Sequence, residues 1–199
     1  MENNELNLKN FGIFYNKLPS DLLNKLRKEC LGFKKKKNFY HEVIKYEKSS
    51  KHFWIEENEI ELFAFLKDWV NLYFEKYNYL NEFKVLQKDS EVIFTKAWFN
   101  IQKKNEFVSL HKHDGLLSYT IWIDIPDIVQ KDNINNPEAC FELCYSNIMG
   151  QNVNHRISLT KKNEGDFIIY PASLFHCVYP FYNNNELRIS IAGNVCYGK

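Results

Sequence analysis

No stretch of this 199-residue chain stays apolar for the roughly 20 residues that a membrane-crossing helix needs. The opening segment, MENNELNLKN, is polar and mixed in charge, unlike a secretory or transit leader. Five prolines and seven glycines are too few for a fibrous or low-complexity chain. No charge of one sign dominates: 26 Lys and Arg against 25 Asp and Glu leave a formal charge of +1. That balance supplies no global field to draw nucleic acid or an anionic membrane. The longest basic run, Lys34 to Lys37, reads as a solvated loop after a helix rather than a phosphate-binding patch. The cysteines, Cys30, Cys140, Cys144, Cys177 and Cys196, are odd in number and lack CxxC spacing. This excludes a paired disulfide framework and matches free thiols in a reducing compartment. Cys140 and Cys144 have no second pair to complete a zinc site. The expectation is a cytoplasmic protein that does not associate with membranes.

What is present is aromatic side chain, 16% of residues, enough to fill a large core. At this length one domain over 1–199 can bury most of its apolar surface. The pattern divides near residue 90, with 1–90 reading as helical support and outer strands. Phe11 to Tyr15 is a short edge strand. Pro19-Ser20-Asp21 opens a helix with Leu22, Leu23, Leu26 and Cys30 on one stripe and Gly32 as its stop. Phe39 to Tyr46 mixes aromatic and β-branched residues as a strand does. Asn58 and Glu61 form a capping pair before a second helix, with Leu62, Phe65, Leu66, Trp69, Tyr73 and Tyr77 at helical spacing.

From Glu91 the period becomes that of strands: Val92 to Gln102, Leu117 to Ile125, Ala139 to Tyr145, His155 to Thr160, Asp166 to Tyr170, Leu174 to Tyr179 and Leu187 to Cys196. These residues alone predict a β-sandwich or barrel with helices against one sheet's outer face. Strand parity puts Arg188 and Ser190 on one face and Leu187, Ile189 and Ile191 on the other. Trp98, Asn100 and Gln102 share a face in the same way, as do Ser118, Thr120 and Trp122.

The chemistry gathers in two distant segments. Phe107 to Ile125 holds His111 and His113, and Gly165 to Val195 holds His176, Arg188 and Ser190. On an extended chain, residues two apart project to one face, so His111 and His113 can converge on one point, and His176 can complete a three-ligand metal site. Three protein ligands with open positions suit non-haem Fe(II) when a cosubstrate and O2 must both bind. The planar fork of Arg188 suits a carboxylate.

Trp98-Phe99-Asn100, His111-Lys112-His113, Ser118, Gly165-Asp166, His176 and Arg188-Ile189-Ser190, in that order, resemble the Fe(II)/2-oxoglutarate-dependent oxygenase superfamily. They are most similar to a bacterial and phage branch with an H-x-H motif. The resemblance covers about the last hundred residues and implies a mainly β double-stranded β-helix (a cupin-like jelly roll) with N-terminal helices. It implies Fe(II) on His111, His113 and His176, and 2-oxoglutarate held by Arg188, Ser190, Asn100 and Ser118. The partners are then 2-oxoglutarate, O2 and a substrate that the sequence does not identify. A peptide side chain or small metabolite is preferred to nucleic acid, and a homodimer stays open.

Two departures from that branch stand out. Asp114 sits where proline is common and Tyr119 where glycine is usual. Asp114 is therefore a rival to His113, since His111, Asp114 and His176 would restore two histidines and a carboxylate. Residues three apart on a strand face opposite ways, but a turn at Asp114-Gly115 relaxes that rule. Two other functional readings remain: a three-histidine cupin dioxygenase that needs no 2-oxoglutarate, and a non-catalytic jelly-roll structural or binding module.

Overall fold

The computed structural model describes residues 11–35, 51–77, 80, 91–127, 137–182 and 185–198. The strand expected over Phe39 to Tyr46, the end of the lysine run, and most of the segment Pro126 to Pro137 lie outside the described residues.

In chain order the strands are β1 (Phe14–Lys17), β2 (Lys51–Trp54), β3 (Val92–Phe94), β4 (Trp98–Gln102), β5 (Val108–His111), β6 (Leu117–Asp124), β7 (Phe141–Ser146), β8 (Asn152–Ile157), β9 (Asp166–Pro171), β10 (Phe175–Val178) and β11 (Arg188–Tyr197). Two helices, α1 (Ser20–Leu31) and α2 (Glu59–Tyr77), come early. The larger sheet runs β1-β9-β6-β11-β4-β2, with β3 beside the far end of β11, and the smaller runs β5-β10-β7-β8. Every pairing is antiparallel. Consecutive strands alternate between the two sheets over much of the chain, which is the double-stranded β-helix. None of the described helices is long and apolar enough to cross a membrane.

Side-chain parity decides which face is buried where. Odd positions such as Phe99, Tyr119, Ile121, Ile189 and Ile191 leave the larger sheet on its outer side and pack with Leu22, Leu26, Leu62 and Leu66 of the helices. Each such apolar side chain contributes about 1.5–3 kcal/mol by leaving water. Even positions Trp122, Ile168 and Tyr170 face inward and meet Phe141 and Leu143 of the smaller sheet. The helices thus cover one face of one sheet, and the space between the sheets holds this second apolar cluster beside buried polar residues such as His176 and Arg188.

Several local details differ from the sequence reading. Val92 to Gln102 is two strands, because the chain leaves the ladder at 95–97. Ala97 N–H donates to Glu59 Oε1 (2.8 Å) and Thr95 N–H to Asn194 O (2.8 Å). From Phe94 to Trp98 is four residues, whereas their partners Val195 and Ala192 are three apart, so one extra residue bulges. The strand expected from His155 starts instead at Asn152. It begins directly after a turn in which Asn147 Oδ1 accepts from Met149 and Gln151 N–H, and Gly150 takes φ +73°. The turn that leads into α2 is held from elsewhere. Buried Glu29 accepts from the backbone N–H of Glu56, Glu57 and Asn58, while Glu61 pairs with exposed Lys25.

Tyr119 is accommodated by a glycine across the ladder. Gly193 stands opposite Tyr119, and a Cβ there would lie 2.1 Å from the Tyr119 hydroxyl oxygen. Tyr119 is fully buried and cannot swing away. Gly193→Ala should therefore destabilise the fold by about 1–3 kcal/mol. The Tyr119 hydroxyl has no hydrogen-bond partner among the described residues, so Tyr119→Phe should be neutral or stabilising. Urea denaturation of both variants checks the pair.

Candidate metal centre

His111 ends β5, and its Cα partner in the antiparallel β10 is His176. The ladder between two strands far apart in sequence therefore sets two imidazoles side by side. His113 follows just past the strand, where its backbone N–H donates to Ala172 O (2.9 Å). The three ring centroids are 4.2 to 5.1 Å apart, and a ligand nitrogen from each lies within 4.8 Å of the others. Among the described residues this is the one cluster that could hold a metal ion. Asp114 does not join it: the residue is exposed, and its charge acts on the Cys196 thiol, which burial and then Asp114 push up.

The ring orientations suit metal binding. His111 Nδ1 lies 2.7 Å from Ser109 O and His176 Nδ1 lies 3.0 Å from Leu174 O. A carbonyl oxygen only accepts, so both Nδ1 atoms carry the proton and both Nε2 atoms are left as acceptors, that of His176 lying 3.4 Å from the Tyr170 hydroxyl. Phe141 stacks on the His176 ring at 5.5 Å and Trp98 lies 5.8 Å from His113. Burial depresses the His111 pKa, and burial together with the nearby His111 pushes His176 down to about 3. Burial thus favours neutral His111 and His176, and the neutral imidazole is the form that binds metal.

That neutrality has a cost at low pH. Below about pH 6.5 the unfolded chain protonates its histidines while the folded chain does not take the proton on His176, so the unfolded state binds more protons and stability falls with pH. His176 alone should remove roughly 1.4 kcal/mol per pH unit between about 6.5 and the folded value, and His111 acts in the same direction. Denaturant titrations of metal-free protein at pH 7, 6 and 5 measure the slope. A flat profile would mean that the imidazoles are solvated.

The inner face of the larger sheet continues from the histidines in rows set by the register. Ala192 pairs with Trp98 and Thr120, Ser190 with Asn100 and Trp122, and Arg188 with Gln102. From Ala192 to Arg188 the strand rises ~13 Å. Asn100 Nδ2 lies 3.5 Å from Ser190 Oγ between the two ends. Ser118 is on the same inner face but two residues to the other side of Thr120, where its hydroxyl donates to Asn194 Oδ1 (2.7 Å). Arg188, Ser190 and Asn100 therefore line one side of the row of histidines, and Ser118 lies on the other.

Arg188 is 1% exposed. Its Nε donates to Gln102 Oε1 (3.0 Å), Nη1 to Ala139 O (3.1 Å) and Nη2 to Tyr179 O (2.7 Å), and it lies over the Phe181 ring. All three acceptors are neutral. Burial pulls its pKa down to about 10. Among the described residues no carboxylate bonds to it, and a charge held out of water without a counter-ion is costly, so the site suits an anion.

Two inner-face residues escaped the sequence reading as site residues. Tyr170 places its hydroxyl 3.4 Å from His176 Nε2 and 3.2 Å from Thr120 Oγ1. Gln102 holds Arg188. Both had a signal in strand parity, but an even position on an inner face is also where core aromatics sit.

A cluster of three imidazoles and a buried guanidinium with no carboxylate bonded to it among the described residues, set between the sheets of a double-stranded β-helix, fit a ferrous ion and a carboxylate-bearing cosubstrate. They define a non-haem iron oxygenase. Residues 96–194 match the family described as "Putative 2OG-Fe(II) oxygenase", and the chain belongs to the 2-oxoglutarate- and Fe(II)-dependent oxygenase superfamily, enzymes whose cofactors are Fe(II) and 2-oxoglutarate. No curated protein matches the sequence. Among solved structures, a Pseudomonas putida prolyl-4-hydroxylase shares 15% identity over 95% of this chain and 94% of its own, with a TM-score of 0.64. A Trichoplax adhaerens prolyl hydroxylase in complex with a hypoxia inducible factor peptide fragment shares 14% over 94% and 83%, at 0.58. The viral collagen prolyl hydroxylase of Paramecium Bursaria Chlorella virus-1 shares 10% over 92% and 94%, at 0.54. At these identities the likeness establishes the fold.

Proposed function

We propose that this oxygenase is a hydroxylase of peptide or protein side chains, or of a small metabolite, with Fe(II) on His111, His113 and His176 and the far carboxylate of 2-oxoglutarate on Arg188. The observation that carries the reading is the fully buried guanidinium with only neutral acceptors among the described residues, four strand residues along β11 from the histidine row. A keto diacid with its keto acid end toward the imidazoles would direct its far carboxylate toward that guanidinium. When bound, Fe(II) and 2-oxoglutarate supply the oxidation, in which one oxygen atom of O2 enters a substrate C–H bond and the other enters succinate as CO2 leaves.

The chain's own groups do the positioning. Ser109 O and Leu174 O fix the two ring orientations, and the Phe141 ring excludes water from one side of His176. Asn100 and Ser190 flank the cosubstrate between its two ends. Three prolyl hydroxylases among the structural neighbours and the near-zero net charge support a peptide ahead of a nucleic acid. The free thiols suit a reducing cytoplasm.

The carboxylate-free triad also favours a second reading, a three-histidine dioxygenase that needs no cosubstrate. One assay separates the two. Aerobic Fe(II)-loaded protein should form succinate from 2-oxoglutarate, and a proline-containing peptide panel should gain one oxygen atom in mass. O2 uptake that ignores 2-oxoglutarate would support the second reading instead.

A further inference from the structure

Gln102 is 2% exposed, and its two amide atoms have different fates. Oε1 accepts from Arg188 Nε at 3.0 Å. Nε2 has no hydrogen-bond partner among the described residues. Flipping the amide would not relieve this, because it would set Nε2 against the Nε–H of Arg188, donor to donor. The arginine therefore fixes which way the amide points, and the unpartnered NH2 group is left on the inner face. A buried donor without an acceptor is expensive. It stands beside a buried cation that has no anion bonded to it among the described residues, and each terminal nitrogen of that cation keeps a second N–H beyond the one bonded there. Two independent shortages, of an acceptor and of a negative charge, coincide at one place, and one carboxylate would remedy both.

We propose that Gln102 Nε2 is a direct hydrogen-bond donor to the distal carboxylate of the cosubstrate, so that Gln102 and Arg188 together select a keto diacid over a keto monoacid. This rests on the cosubstrate reading above. Gln102 both touches the carboxylate and, through Oε1, holds the Arg188 fork in the plane that receives it. β4 and β11 set the pair by their register, Arg188 opposite Gln102.

Gln102→Glu tests this in a way that a structural role would not mimic. The new carboxylate has nearly the same shape, accepts the Arg188 Nε–H, and supplies internally the anion that the cosubstrate would bring. The full chain is loaded with Mn(II) in place of Fe(II), and binding of 2-oxoglutarate and of pyruvate, which lacks the distal carboxylate, is followed by calorimetry, with thermal melting as a second readout. We expect Gln102→Glu to melt no lower than the parent, to keep its Mn(II) and pyruvate affinities, and to bind 2-oxoglutarate at least about tenfold more weakly. Gln102→Leu should weaken 2-oxoglutarate similarly and leave pyruvate alone. Binding of 2-oxoglutarate within twofold of the parent in both variants would overturn the proposal while leaving the cosubstrate reading intact. So would an equal loss for pyruvate, which would mark a general disturbance of the pocket. If the Mn(II)-loaded parent itself failed to bind 2-oxoglutarate, the cosubstrate reading would fall first and this inference with it.

Discussion

Arg188→Met should cost the protein its 2-oxoglutarate and spare its metal. The side chain is buried and, among the described residues, no carboxylate is a hydrogen-bond partner of it, so the desolvated cation can pair with the cosubstrate. Leaving the cosubstrate's carboxylate unpaired in that place costs about 3–5 kcal/mol, a hundredfold or more in affinity. Methionine roughly keeps the volume, but Ala139 O and Tyr179 O lose a donor, so a drop of about 1–3 kcal/mol in folding stability should accompany the change. Arg188→Lys retains charge without the fork and should fall between the two. Calorimetry of 2-oxoglutarate against Mn(II)-loaded protein reads the affinity, and Mn(II) titration without cosubstrate serves as the control. Parental 2-oxoglutarate affinity in Arg188→Met would remove this residue from the site.

His176→Ala is the second large effect, and here the metal goes first. His176 faces both His111 and His113, so two imidazoles alone would remain. Loss of an outer partner of a metal ligand already costs about 10–100-fold in affinity, and loss of a ligand should exceed that. His113→Ala should behave alike. Asp114→Asn should leave metal affinity unchanged, because Asp114 is exposed and outside the cluster. The reverse outcome, parental binding by His113→Ala and loss in Asp114→Asn, would mean that the chain rearranges to a carboxylate ligand on metal binding.

Much of this arrangement was legible before any coordinates. The two-residue period of the last strand separates Arg188 and Ser190 from Ile189 and Ile191, and those are the inner and outer faces of β11. The helical stripe of α2 buries Leu62, Leu66 and Tyr73 as its spacing requires. Convergence of His111 with His113 followed from their spacing, although His113 lies beyond the strand end and is held by Ala172.

The parts that stayed hidden depend on contacts between distant segments. Glu29 holds the turn before α2 across 27 to 29 residues, so the local Asn58 and Glu61 pattern marked where the helix starts but not the carboxylate that braces its entry. The bond from Arg188 to Gln102 spans 86 residues, and no short motif encodes it. Ser118 shares the pocket face by parity, but parity says nothing of how far along the sheet a residue sits. Its hydroxyl turned out to belong to Asn194.

The most direct test joins the metal to the guanidinium in one observation. Fe(II) is added to the protein without oxygen, 2-oxoglutarate follows, and the visible spectrum is recorded before and after. Bidentate binding of the keto acid at the three imidazoles should produce a metal-to-ligand band that is absent from the iron protein alone. The same titration should tighten the apparent hold on iron, because the neutral triad lacks an anion that the cosubstrate brings. An unchanged spectrum with iron held equally well either way would contradict the account.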